Sequence, residues 1–198
     1  MIAYKGFTRD LKSIMGNGKP ETCSFQPGST MTEENSKTGR SGYHCCDHPF
    51  GCLDYYEWNG QNRLFKVEAS GDINEDGKGR IACTQITLLK ELSLPEMAME
   101  EMIYMIEHPD REGWECNHHM ARVVKDEGIC TDGGTMIVRG EVPSVKGVAG
   151  SMIGMLADAG NCIAEAHFFK ITDQTANRWF ELKDGIFQEV GNHETEVG

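Results

Sequence analysis

The chain reads as an α+β protein: a mixed α/β amino-terminal domain, a short helical connector and a β-rich carboxyl-terminal domain. Three observations lead there. Short runs near both ends, Ile2-Ala3-Tyr4-Lys5-Gly6-Phe7 and Trp179-Phe180-Glu181-Leu182, have the alternation expected of strands. Between them, Ser93-Leu94-Pro95-Glu96 has the form of a helix capping box, with proline in the first turn. Glycine (23) far outnumbers proline (6), a balance that suits short strands joined by tight turns. The boundaries fall at 1–94, 95–132 and 133–198.

Ile2 to Phe7 supplies the first strand. The stretch from Met15 to Arg40, punctuated by glycine and proline, reads as a mobile loop. Ser41 to Cys46 is a second strand, after which Asp47-His48-Pro49 caps a helix carrying Phe50, Cys52, Leu53 and Tyr56. Arg63–Gly71 and Arg80–Leu89, separated by a polar turn at Asn74–Gly79, form a hairpin.

The capping box then opens a helix with Met97, Met102, Ile103, Met105 and Ile106, stopped by His108-Pro109. Its methionines suit either a core face or an adaptable binding face. Asn117 caps a second helix, with Met120, Val123 and Val124 on one side, ending before Gly128. From Gly133 short β runs alternate with glycines, a texture compatible with a small β-solenoid. Lys183-Asp184-Gly185 closes a terminal hairpin, and the tail from Gly191 to Gly198 is polar and frayed.

The formal net charge is -12, which argues against a direct nucleic-acid ligand, because phosphate binding needs a basic surface. An acidic surface can instead meet a basic patch on a nucleic-acid-binding protein, or simply keep the chain in solution. The eight cysteines follow no secretory leader, so they read as reduced thiols in a cytoplasmic protein. No run reaches the apolar length of a membrane span.

The densest chemistry lies in Ser41–Tyr56, with three thiols (Cys45, Cys46, Cys52), two imidazoles (His44, His48) and three tyrosines (Tyr43, Tyr55, Tyr56). Zinc is one reading, with His44, Cys46, His48 and Cys52 as ligands, although the paired Cys-x-x-Cys spacing of structural sites is missing. A nucleophilic Cys45 or Cys46 activated by His44 or His48 is another. The plain alternative for each is reduced cysteine packed in a core.

Tyr4-Lys5-Gly6-Phe7, Gly42-Tyr43-His44-Cys45, Leu53-Asp54-Tyr55-Tyr56 and Val67-Glu68-Ala69-Ser70-Gly71 resemble the motifs of a domain of unknown function met mostly in bacteriophages, prophages and gut bacteria. The resemblance covers residues 1–94 closely and 133–190 loosely, and implies a phage-linked origin. Tyr43 and Cys46 depart from its usual phenylalanine and non-cysteine.

The same order of elements is similar to the start of ADP-ribosyltransferase folds. That likeness implies an NAD pocket built from Tyr4, Lys5, Tyr43, His44 and Tyr56, with Glu91 steadying an oxocarbenium-like transition state. The reading ranked first needs no catalytic residue. It is an intracellular phage or prophage accessory protein that binds a host protein, to inhibit a defence system, or binds a nucleotide through Lys5, Arg40, Arg63 and Lys66. Its working surface comprises Tyr4, Lys5, Tyr43, His44, Asp54, Tyr55, Tyr56 and Glu68, and self-association remains open. NAD enters as cofactor only with the transferase reading.

Overall fold

The computed structural model describes residues 1–14, 21 and 24–191. It falls into two compact units, Met1–Met97 and Ala98–Gly198. Strands account for 54% of the chain and helix for 10%, in two sheets, so the expected α+β architecture with its mixed α/β domain and helical connector gives way to a mostly β protein. Parts of the expected mobile loop (15–20, 22 and 23, including Cys23) and the expected frayed tail from 192 onward lie outside the described residues.

The first unit contains β1 (Ile2–Thr8), β2 (Thr30–Thr32), β3 (Tyr43–Cys46), β4 (Asn62–Glu75) and β5 (Arg80–Leu92). β5 pairs with β3, β3 with β1, β1 with β4, and β4 again with β5, all antiparallel. The ring therefore closes as a four-stranded barrel, and β2 attaches to the free half of β5. Closure depends on register shifts in the β4–β5 ladder, at Lys66/Val67 and Ser70/Ile73, which bend the hairpin. Gly71, at φ 75°, supplies the left-handed residue inside the second shift.

Side chains alternate across each strand, so every strand has an inward and an outward set. Ala3, Phe7, Tyr43, Cys45, Phe65, Val67, Ala69, Ile81, Cys83, Ile86 and Leu88 pack together with Phe25 from the β1–β2 connection. The rings of Phe7 and Phe25 lie 4.8 Å apart, and Phe7–Phe65 and Phe25–Tyr43 meet edge to face at 5.6 and 5.5 Å. Against β1 and β3 lies a 3-10 turn, Phe50–Asp54, where a full helix was expected.

One α-helix stands among the described residues, α1 (Leu94–Glu107). It starts at the capping box: Ser93 N–H and Oγ–H donate to Glu96 Oε2 at 2.8 and 2.7 Å. Beyond it, 108–115 is turn and coil, and no second helix follows among the described residues of 95–132. β6 (Cys116–His118) and β7 (Ala121–Cys130) form a hairpin where a helix capped by Asn117 was expected. Met120, at φ 63°, turns the chain there, and the β-branched Val123 and Val124 suit the pleat better than a helical turn.

In the second unit, β7 runs parallel to β8 (Thr135–Gly147), and β8 to β9 (Met152–Ala159), with Ala121, Thr135 and Met152 in register. Parallel neighbours normally need a long crossover, yet the links at 131–134 and 148–151 are short. Each strand resolves this by bending and returning. β7 turns at Asp126, φ 60°, and its second limb, Glu127–Cys130, pairs again with Ser144–Gly147 of β8. β9 continues into a hairpin with β10 (Cys162–Lys170), while β11 (Trp179–Lys183) joins the second limb of β8 and pairs with β12 (Ile186–Val190). Asp184 and Gly185, both at positive φ (51° and 74°), make the two-residue turn that the Asp-Gly pair calls for. Met136, Val138, Val145, Ile153, Met155, Ile171, Phe180 and Leu182 fill the interior.

Candidate functional site

The chemistry-bearing residues of the first unit meet at the wall between β1 and β3, and the wall divides them. Tyr4 pairs with Cys46 in the β1–β3 ladder, which gives them one face and places Lys5 and Cys45 on the other. Lys5 and Tyr43 therefore point into the barrel, while Tyr4, His44 and Cys46 lie on the outer face, where Cys46 meets Cys52 and Gly6 meets Tyr56. Tyr4, Tyr43 and Tyr56 retain only 7%, 7% and 8% of their surface. Of the residues expected to share a working surface, Tyr4, Lys5, Tyr43, His44 and Tyr56 are thus divided between two faces of one sheet.

Lys5 is the unusual member. Its Nζ donates to the His44 carbonyl at 2.7 Å and sits 5.3 and 5.5 Å from the ring centres of Phe7 and Phe25. Burial drives its pKa down, against an opposing pull from Cys45 and Glu21. Outside the barrel, the Tyr56 ring lies where a side chain on residue 6 would be, since a Cβ there would come within 2.7 Å of Tyr56 Cβ. The Tyr56 hydroxyl accepts from the Ile14 N–H at 2.9 Å, and burial raises its pKa. The glycine of Tyr-Lys-Gly-Phe and the last tyrosine of Leu-x-Tyr-Tyr are therefore the two halves of one contact.

The four described thiols of the first unit are free and fall into two touching pairs. Cys45 with Cys83 lies inside the barrel, and Cys46 with Cys52 lies outside it. The hydrogen bond with Cys83, followed by burial, pushes the Cys45 thiol up, and burial, followed by the bond with Cys46, does the same to Cys52. The same bond to Cys45 holds the Cys83 thiol down, and Cys83 is fully buried. Nucleophilic cysteines need an accessible thiolate, which these positions do not offer. Among the described residues, no group of three or more His, Cys, Asp or Glu side chains is arranged to hold a metal ion. His44 Nε2 accepts from the Gly39 N–H at 2.8 Å, and burial with the nearby Lys5 charge lowers its pKa. His48 sits over Gly51.

The remaining candidates are on the surface. Asp54, Tyr55 and Glu68 are exposed. Glu91 is also exposed, in a two-pronged ion pair with Arg63 at 2.7 and 2.6 Å that holds its carboxyl below the usual range. Tyr43 and Tyr56 stand on opposite faces of the barrel wall, so the nicotinamide pocket inferred from the transferase likeness is not assembled from them.

A second feature was absent from the motif reading. Acidic and basic residues number 13 and 11 in Met1–Met97 but 18 and 8 in Ala98–Gly198, so net charges of -2 and -10 make up the total of -12. Counting charge by segment finds this; motif search does not. The second unit also carries a groove of about 520 Å3 lined by Glu115, Cys116, Arg122, Glu127, Ile129 and Met136, among others.

A small closed barrel followed by a bent parallel coil is the class that this geometry defines. The family model described as "Domain of unknown function (DUF7666)" matches residues 1–100, and the chain belongs to that family. Neither the curated proteins nor the solved structures contain a match.

Proposed function

We propose that the chain is a non-catalytic binding protein that engages a basic protein surface through its acidic second unit. The observation that carries this reading is the segregation of charge, -10 in Ala98–Gly198 against -2 in Met1–Met97. Charge needed only for solubility has no reason to gather in one unit, whereas a complementary surface steers and selects a partner of opposite sign. The first unit fits a scaffold role, because Tyr4, Tyr43, Tyr56, the thiols of Cys45, Cys46, Cys52 and Cys83, and the inward Lys5 are used in packing. The motif resemblance supplies a setting: a phage or prophage accessory protein working in the host cytoplasm, whose target is a basic, nucleic-acid-binding host component of a defence system.

The test is quantitative affinity capture from a host lysate at low and high salt, beside an unrelated acidic protein of equal net charge. Basic proteins enriched over that control, and released as salt rises, support the reading. Enrichment no greater than the control's overturns it. Incubating the same lysate with labelled NAD completes the test, and no label transfer is expected.

A further inference from the structure

The first rung of the parallel coil is left partly uncapped. β6 covers β7 from Ala121 to Val123 only, since its pairings end at Cys116 opposite Val123. Among the described residues, Val124–Lys125 and Glu127–Ile129 of β7 pair with β8 alone, in two limbs separated by Asp126. A strand bonded on one side presents its remaining N–H and C=O groups outward, and such an edge is a template for another strand. Natural edges are blunted by proline, by lysine, by bulges or by a cover; this stretch, Val-Lys-Asp-Glu-Gly-Ile, has no proline, and Lys125 and the turn at Asp126 leave Glu127–Ile129 as its open limb, along a bend that β8 follows on the other side.

The groove of about 520 Å3 lies along that same edge. Val123, Val124, Ile129 and Met136 give it an apolar lining, and Ile129 keeps 46% of its surface exposed. Glu115 and Glu127, both exposed, contribute negative charge. Arg122 is the basic residue in the lining, and its charge is committed: Nη2 is 2.6 Å from Asp132 Oδ1 and 3.6 Å from Cys130 Sγ. The groove therefore presents open backbone, apolar contact and net negative charge in one place.

We propose that this edge is a strand-accepting site, and that its occupant is an extended segment of a partner protein in which basic and apolar residues alternate. Backbone pairing along β7 supplies affinity, while alternate side chains reach the apolar lining and the two glutamates. A helical ligand would leave the β7 edge unpaired, and an acidic strand would meet Glu115 and Glu127. The inference rests on the proposed preference for basic partners and narrows it to one edge and one backbone conformation.

The probe is a fluorescent peptide of alternating lysine and valine, titrated against the intact chain by anisotropy. Controls are a Glu-Val peptide and a Lys-Val peptide interrupted by proline. Binding of the first alone is expected, with slowed amide exchange from Val124 to Ile129. Glu127→Lys and Ile129→Asp alter exposed side chains, and each is expected to weaken binding roughly tenfold. Circular dichroism checks that both variants remain folded. Equal binding of the proline-interrupted peptide overturns strand addition. Undiminished binding by both variants, or unchanged exchange along β7, moves the contact elsewhere and overturns this site while the broader preference for basic partners stands. Lysate proteins captured with no affinity for the Lys-Val peptide likewise remove the strand-accepting site alone.

Discussion

Gly6→Ala is the sharpest probe of the first unit, because the structure leaves a methyl group nowhere to go. A Cβ at position 6 would sit within 2.7 Å of Tyr56 Cβ, with ring carbons closer still. Two responses are open. Expelling the ring forfeits its burial, about 2–3 kcal/mol, and the bond from the Ile14 N–H, about 1 kcal/mol. Keeping the ring and shifting β1 costs about 1–3 kcal/mol of overpacking. The chain takes the cheaper route, so the substitution costs about 2 kcal/mol. Tyr56→Ala alone costs about 3–5 kcal/mol, but the double variant falls short of the sum by about 2 kcal/mol, because the clash needs both groups. Alkylation of Cys46 and Cys52 reads the first unit by itself, since Cys52 is a buried residue of the 3-10 turn and Cys46 is buried against it. Labelling in Gly6→Ala should run about thirtyfold faster than in the parent chain, followed by quenching and peptide mass. Unchanged labelling, or strictly additive costs in the double variant, would show that Gly6 and Tyr56 do not hold each other.

Four further outcomes are expected. Lys5 has a folded pKa below its unfolded value of 10.5, so its burial penalty applies at neutral pH and fades as pH rises through the folded pKa toward 10.5. Across that window denaturant titrations should show the parent gaining stability relative to Lys5→Met. Glu96 is held at about 2 by Lys90 and Ser93, so its support of the start of α1 is present above 4.5 and lost as pH falls through about 2. Amide exchange in the first turn of α1 should quicken over that range, and Glu96→Gln should abolish the pH dependence. Gly185→Ala forces a side chain into a left-handed turn residue and should cost about 1–2 kcal/mol, read from the unfolding of Trp179 fluorescence. In the native chain the exposed Cys162 should alkylate well before the buried Cys45, Cys46, Cys52, Cys83 and Cys130, with peptide mapping as the check.

What the sequence disclosed was local. Asp184-Gly185 announces its hairpin because few other pairs accept two positive φ angles, and Ser93-x-x-Glu96 announces α1 because its cap is built from neighbours. Ala121–Cys130 misled for a complementary reason. Met120, Val123 and Val124 have helical spacing, and only pairing with Cys116–His118 and Thr135–Gly147, on either side of the segment, makes Ala121–Cys130 strand. Barrel closure is non-local in the same way: it rests on where β4 and β5 slip register, which no single segment records. Lys5 carries the lesson furthest. The alternation along β1 tells that Ala3, Lys5 and Phe7 share a face, but a charged member suggests that this face meets solvent. The structure reverses the inference, satisfying the amine with the His44 carbonyl and two aromatic rings inside the barrel. Once Lys5 turns inward, Tyr4 must turn outward, and Gly6 with it. The outward face then accepts the Tyr56 ring only because residue 6 has no side chain. One buried lysine thus sets the facing of the whole motif, and residues whose chemistry suggested a site become the two sides of a wall. The features that suit a binding surface lie instead in Ala98–Gly198, where charge, a strand edge and a groove coincide.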